Sequence, residues 1–171
     1  MPGTGDNDSF DVARHIKSLY EHIPMVILTP FSHGITKRIA NEDLSPFEYV
    51  FCWLGNTDLL VSIIKLIEDK MNLEHDVNEV GVQLILLVED GIRFYSSILP
   101  NLYKFVLKQS QEFSTEALNA HQRTLRMRGR PKIVLARTYE EAINIYGKYK
   151  NNILGVITDV RFPRVERGEK D

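Results

Sequence analysis

The sequence predicts an α/β fold, with helices layered on both faces of a five-stranded, parallel, doubly wound sheet (αβα, three layers). Two observations carry this reading. Leu84-Ile85-Leu86-Leu87-Val88 and Ile153-Leu154-Gly155-Val156-Ile157 are unbroken apolar runs, the pattern of parallel strands buried on both faces rather than of half-buried strands, which alternate. Around these runs, strand-like and helix-like stretches take turns along the chain, the order of a parallel sheet with crossover helices. A length of 171 residues with 43% hydrophobic residues suits one domain, or one and a half, with a real core.

In chain order, Ser9 or Asp11 can cap a helix to about His22, with Val12, Ile16, Leu19 and Ile23 on one face, stopped by Pro24. Met25 to Leu28 reads as a short strand ending at Thr29-Pro30. Residues 35–41 are weakly helical, and Ser45-Pro46 marks a turn. Tyr49 to Leu54 is a second strand, closed by Gly55-Asn56. Asn56 or Thr57 caps an amphipathic helix whose apolar positions are Leu59, Leu60, Ile63, Ile64 and Ile67. Leu73 to Gly81, with Glu74, Asp76 and Glu79, reads as a linker or exposed loop. The third strand is about Gln83 to Val88. A long helical pattern then runs from Ile92 towards Arg128, interrupted by Pro100 as a kink or a new turn. Lys132 to Ala136 is the fourth strand. Thr138 caps a helix to about Tyr149, with Glu140 and Glu141 in its first turn, where the helix dipole favours acids. Ile153 to Thr158 is the fifth strand, and Val165 to Asp171 is a charged tail.

The chemistry is concentrated where the apolar runs stop. Glu89 and Asp90 follow the third strand, and Asp159 follows the fifth. Ligands of open α/β sheets bind outside the carboxyl ends of the strands, so these three acids are expected at one rim. Carboxylates crowd at a cost, because like charges repel and burial raises their pKa. A divalent cation resolves that conflict, and oxygen-only donors favour Mg²⁺ or a similar hard ion.

Other features exclude function classes. The net charge of −2 argues against general nucleic-acid binding. The single cysteine, Cys52, excludes an internal disulfide and suits a reducing cytoplasm; it reads as a small core residue, and Trp53 as packing. The five histidines have no metal spacing. No apolar stretch reaches the roughly 18 residues of a membrane span, and Met1 to Asp8 is polar and Gly-rich, unlike a signal peptide. Arg123 to Lys132 is a basic segment without acids, read as a solvated helix end or a dock for an acidic partner. The helical stretch from Phe105 to Leu125 reads as a dimerisation or interdomain element.

On these residues the chain resembles the receiver domain of two-component response regulators, in permuted element order. Val88-Glu89-Asp90 resembles the acidic pair that closes the first receiver strand. Asp159 with Pro163 four residues on resembles the phosphoacceptor and its following proline. Ile27-Leu28-Thr29 resembles the fourth strand with its terminal hydroxyl, and Tyr49 to Leu54 the fifth. Met1-Pro2-Gly3 resembles the tripeptide that follows a phosphoacceptor. The resemblance thus implies the C-terminal half of one receiver-like domain over 1–72, a linker over 73–81, and the N-terminal half of another over 82–168. The halves either assemble into one flavodoxin-like unit or belong to a tandem array. Phe51-Cys52-Trp53-Leu54-Gly55-Asn56, the stretch Ile64 to Asn72 and Arg93-Phe94-Tyr95-Ser96-Ser97 resemble receiver-like regions at the N-terminus of bacterial phosphoenolpyruvate synthase-like proteins.

The resemblance implies a regulatory module rather than an enzyme. Asp159 would be the phosphoacceptor and a metal ligand. Glu89, Asp90 and the Arg161 backbone carbonyl would complete the Mg²⁺ site, and Thr29 would donate its hydroxyl to the phosphoryl group. A histidine kinase or a small phosphodonor, a PEP/pyruvate-utilising enzyme and a second copy are the implied partners; nucleic acid and membrane are not. One departure stands out. The lysine expected at the end of the fifth strand falls on Cys52 or Trp53, depending on the alignment by one residue, and neither supplies an ammonium charge. The switch aromatic falls on Tyr49 or Phe51. A haloacid-dehalogenase-like phosphatase needs an aspartate where Arg161 stands, so it ranks last.

Overall fold

A computed structural model describes residues 9–30, 39, 41–115 and 129–160. The elements are α1 (Ser9–Leu19), β1 (Val26–Pro30), β2 (Tyr49–Trp53), α2 (Asp58–Asn78), β3 (Leu84–Val88), α3 (Ile92–Thr115), β4 (Lys132–Ala136), α4 (Tyr139–Tyr149), a 3₁₀ turn (Lys150–Asn152) and β5 (Ile153–Thr158). The protein is therefore mixed α/β, and among the described residues every strand pairing is parallel. Among the described residues the pairings are β1-β2 in one sheet and β4-β3-β5 in another. The chain divides after Gly55 into two compact units, Met1–Gly55 and Asn56–Asp171.

In the first unit, β1 and β2 pair from Val26↔Tyr49 to Pro30↔Trp53. Tyr49, Val50, Phe51 and Cys52 are all buried, as their unbroken apolar run requires. Helix α1 is shorter than its apolar pattern suggests, and it buries Phe10 and Ala13 while Val12 and Leu19 stay exposed. Phe10 meets Phe47 edge-on, with ring centroids 5.6 Å apart, which fixes the entry of the chain into β2. Of the weakly helical stretch at 35–41, only Ile39 and Asn41 lie among the described residues.

The second unit holds most of the core. Leu84, Leu86 and Val88 of β3, Val134 and Ala136 of β4, Ala142 and Tyr149 of α4, and Leu73 and Val77 of α2 form one buried cluster. The expected linker at Leu73 to Gly81 is mostly helix: α2 continues to Asn78. Its buried positions Leu59, Ile63, Leu66, Asp69, Leu73 and Val77 keep a single helical stripe, while Leu60 and Ile64 are exposed. The helix stops at Gly81, whose φ of +75° is left-handed. The Gly81 N–H donates to the Val77 carbonyl at 3.1 Å and the Val82 N–H to the Asp76 carbonyl at 3.0 Å; the first is an αL closure, which favours glycine at that place.

Helix α3 runs through Pro100 without ending; residues 116–128 of the expected long helix lie outside the described ones. Thr138 caps α4 as its position predicts, its hydroxyl accepting the Glu141 N–H at 3.2 Å. Strand β3 is flanked by β4 and β5, in register at Leu86↔Val134 and Leu86↔Val156. Among the described residues, no helix is long and apolar enough to cross a membrane.

Candidate functional site

The order β4-β3-β5 fixes where a site can form. The chain leaves β3, crosses to β4 on one side, and returns past β3 to β5 on the other. The direction of winding reverses between β3 and β5, and crevices at such switch points, outside the carboxyl ends of the strands, are where open α/β sheets bind ligands. Glu89, Asp90 and Asp159 stand at that rim because each directly follows a strand of the pair. The ladders continue one step into the rim: the Glu89 N–H donates to the Ala136 carbonyl at 2.9 Å, and the Asp159 N–H to the Val88 carbonyl at 3.1 Å.

The side chains differ in their engagement. Glu89 is buried, and its Oε1 accepts the Gly91 N–H at 2.8 Å. That folds the carboxylate back over the start of α3. A Cβ built on Gly91 would lie 2.8 Å from this oxygen and 2.9 Å from Phe94 Cδ2, so glycine at 91 is what lets Glu89 take this place. Asp90 and Asp159 are exposed. Asp159 Oδ1 accepts the Val160 N–H at 2.6 Å, and the Thr158 hydroxyl donates to the Asp159 carbonyl at 2.8 Å. The strand ends thus meet while the three carboxylates do not converge. Among the described residues, no three His, Cys, Asp or Glu side chains are grouped closely enough to hold a metal ion. The donor set is still all oxygen, and two of the three acids face solvent.

The remaining expected site residues are placed as follows. Arg161 and Pro163 lie outside the described residues. Thr29, in the first unit, is buried next to the last residue of β1, and its hydroxyl donates to the Pro30 carbonyl at 3.2 Å. Thr29 pairs in register with Cys52. Cys52 is buried and Trp53 half-buried, so no cationic side chain ends β2.

The sequence reading missed a second polar centre in the second unit. Asp69 is fully buried in the apolar stripe of α2. Its carboxylate receives the Arg130 guanidinium through both oxygens, Nη2 at 2.6 Å and Nη1 at 3.0 Å. It also accepts the Tyr103 hydroxyl at 2.9 Å and the Ile133 N–H at 3.0 Å. Lys132 Nζ lies 3.6 Å from Asp69 and 2.6 Å from Asp76. Arg130 and Lys132 are therefore turned inward, which corrects their reading as part of a solvated basic end. Burial works against the Arg130 charge, but the hydrogen bonds and charge of Asp69 outweigh it and raise the guanidinium pKa. The Lys132 N–H bonds back to Gln83 of the β3 side. The next N–H, that of Ile133, points to the open side of β4, where Asp69 takes it. Helix α2 thus lies along one edge of the sheet and takes up one of its outward N–H groups. The available signal was an acid at position 69 of the stripe Leu66, Leu73, Val77, where an apolar residue belongs.

No protein-family model, curated protein or solved structure matches this chain.

Proposed function

We propose that the chain is a receiver-like regulatory module in which Asp159 accepts a phosphoryl group with the help of Mg²⁺. The observation that carries this reading is the parallel pairing of β5 with β3, which brings the Asp159 backbone against Val88 and next to Glu89-Asp90 at the switch point. The order β4-β3-β5 is the first part of the flavodoxin-like order 2-1-3-4-5, and a five-stranded sheet of that kind completes the reading. An exposed carboxylate suits a nucleophile that must reach an external phosphodonor. An Asp159 oxygen would attack the phosphorus as the bond to the donor breaks, the leaving atom being the imidazole nitrogen of a kinase phosphohistidine or the carboxylate oxygen of a small acyl phosphate. Asp90 and Asp159 would hold the ion directly and Glu89 through water. A bound Mg²⁺ would offset the charge that the phosphoryl group brings. The module would turn over nothing beyond its own phosphoryl group. A histidine kinase or a small phosphodonor would supply that group, and a PEP/pyruvate-utilising enzyme would be the regulated partner, in the cytoplasm.

A second reading is a phosphorylation-independent pseudo-receiver that acts as an interaction domain. It is favoured by the engagement of Glu89 with the Gly91 N–H and by the uncharged end of β2. Incubation with Mg²⁺ and acetyl phosphate, followed by intact-mass measurement, separates the two. Gain of one phosphoryl group by the wild type and not by Asp159→Ala supports acceptance. No gain, and no Mg²⁺ binding by titration of the folded chain, supports the pseudo-receiver.

A further inference from the structure

Each strand of the β4-β3-β5 sheet is followed directly by a charged residue. The registers Val88↔Ala136 and Val88↔Thr158, carried one residue on, set Arg137, Glu89 and Asp159 in a single row across the three strands. The backbone still holds that register there, since Glu89 bonds to Ala136 and Asp159 to Val88. All three residues belong to the second unit, and Arg137 is the cation of the row. Neighbouring strands lie about 4.8 Å apart, so the Arg137 and Asp159 backbones stand two strand spacings, about 10 Å, from each other. An arginine side chain covers most of that span, and a phosphoryl group carried on Asp159 closes the rest.

The Arg137 guanidinium stands with Nη2 3.8 Å from Glu141 Oε1, on side chains that are both partly exposed. That distance is an ion pair without a hydrogen bond, and a partly exposed contact of this kind is weak. The other Glu141 oxygen accepts the Arg137 N–H at 2.7 Å, so Glu141 anchors the backbone at 137 independently of where the guanidinium goes. Charge gives the guanidinium its use. A phosphoryl group on Asp159 brings about two negative charges and three acceptor oxygens to a rim that already holds Glu89 and Asp90. One Mg²⁺ offsets only part of that, and β2 ends without a cation at Cys52 and Trp53. A guanidinium stays charged and presents paired N–H donors in the geometry of phosphoryl oxygens.

We propose that Arg137 binds the phosphoryl group at Asp159. Its guanidinium leaves Glu141 and donates N–H bonds to the phosphoryl oxygens that Mg²⁺ does not cover, and it keeps all its protons in doing so. The inference rests on the reading of Asp159 as the phosphoacceptor, and it names the side chain that recognises the incoming group.

The test uses the full chain and two probes. With acetyl phosphate and Mg²⁺, the rate of phosphoryl gain by intact mass is expected to fall about tenfold or more in Arg137→Ala. Arg137→Lys, which keeps the charge but not the paired donors, is expected to recover part of it. With inorganic phosphate and Mg²⁺, followed by NMR, the Asp159 amide signal is expected to shift in the wild type and not in Arg137→Ala. Glu141→Gln keeps an acceptor for the Arg137 N–H and removes the competing charge, so it is expected to tighten phosphate binding. Titration with Mg²⁺ alone separates this role from a structural one. Arg137→Ala removes a like charge, so its Mg²⁺ affinity is expected to hold or rise, and thermal unfolding reports that the variant is folded. Loss of Mg²⁺ affinity together with phosphoryl gain overturns the inference. So does Asp159-dependent gain that is unchanged in Arg137→Ala, or that is lost instead in Arg93→Ala on the first turn of α3; either leaves Asp159 as the acceptor. Phosphate binding that needs Arg137, with no phosphoryl gain, supports the anion role of Arg137 and overturns acceptance by Asp159. Neither gain nor phosphate binding overturns both.

Discussion

Arg130 grips both carboxylate oxygens of Asp69, at 2.6 and 3.0 Å, and the pair is sealed from water. This contact joins α2 to the residues that lead into β4, across 61 positions of sequence. Removing one member of such a pair leaves a buried charge without compensation, which costs more than the pair itself contributes. Asp69→Ala is expected to destabilise the second unit by about 3–5 kcal/mol, and Asp69→Asn by less, because the amide keeps some of the hydrogen bonds. Urea unfolding followed by circular dichroism measures both. As a contrast, Lys65→Ala removes a partly exposed i,i+3 contact with Glu68 and is expected to cost under about 0.5 kcal/mol.

Two glycines make separable predictions. Gly81 has a left-handed φ and open space around a built Cβ, so Gly81→Ala meets only backbone strain, about 1 kcal/mol. Gly91 has the opposite problem, since its Cβ would crowd the Glu89 carboxylate and Phe94. Phe94 is exposed and can move, whereas Glu89 is buried. Gly91→Ala is expected to displace Glu89 at a cost of about 1–2 kcal/mol. Thermal unfolding checks both costs, and the Glu89 side-chain resonances move in Gly91→Ala alone.

Thr138→Ala removes the hydroxyl that accepts the Glu141 N–H and is expected to cost about 1 kcal/mol, while Thr138→Ser is close to neutral. Hydrogen exchange should show the loss in the first turn of α4 before β3 is affected.

The contact with Lys65 carries a pH signature. Its hydrogen bond, ahead of the opposing effect of burial, holds the Glu68 carboxyl below its ordinary value. A depressed folded-state pKa gives stability that is present above the unfolded-state pKa and is lost as the pH falls through the folded-state one. Glu68 is partly exposed, so the loss is expected to stay under about 0.5 kcal/mol. Comparing acid unfolding of the wild type with Glu68→Gln isolates it.

Much of the local structure was legible because single residues announced it. The runs before Glu89 and Asp159 are apolar without a break, so β3 and β5 could be read directly as strands; the burial on both faces that such runs imply holds for β3, while Leu154, Val156 and Ile157 of β5 are exposed. Thr138 followed by two acids marked the start of α4. The stretch from Leu73 to Gly81 misled because Glu74, Asp76 and Glu79 dominate its composition. Leu73 and Val77 in fact continue the stripe of Leu66, and Gly81 is the stop signal of that helix. Asp69 hid the continuity, since an acid in an apolar stripe breaks the pattern unless its partners are known. Those partners, Arg130 and Lys132, are remote in sequence and looked like solvated charges. Which strands pair, β1 with β2 and β3 with β4 and β5, was not legible either, because apolar runs identify strands and not the neighbours they choose. At the rim, the nearness of the β3 and β5 ends follows from parallel pairing. The turn of Glu89 onto the Gly91 N–H depends on loop geometry that no periodicity encodes.

The most direct measurement is the intact mass of the full chain after treatment with acetyl phosphate and Mg²⁺, with Asp159→Ala and a chelator control alongside. The account predicts one added phosphoryl group on the wild type, absent without Mg²⁺ and absent in Asp159→Ala. A wild-type mass unchanged at saturating phosphodonor, or a phosphoryl group that persists in Asp159→Ala, would contradict it.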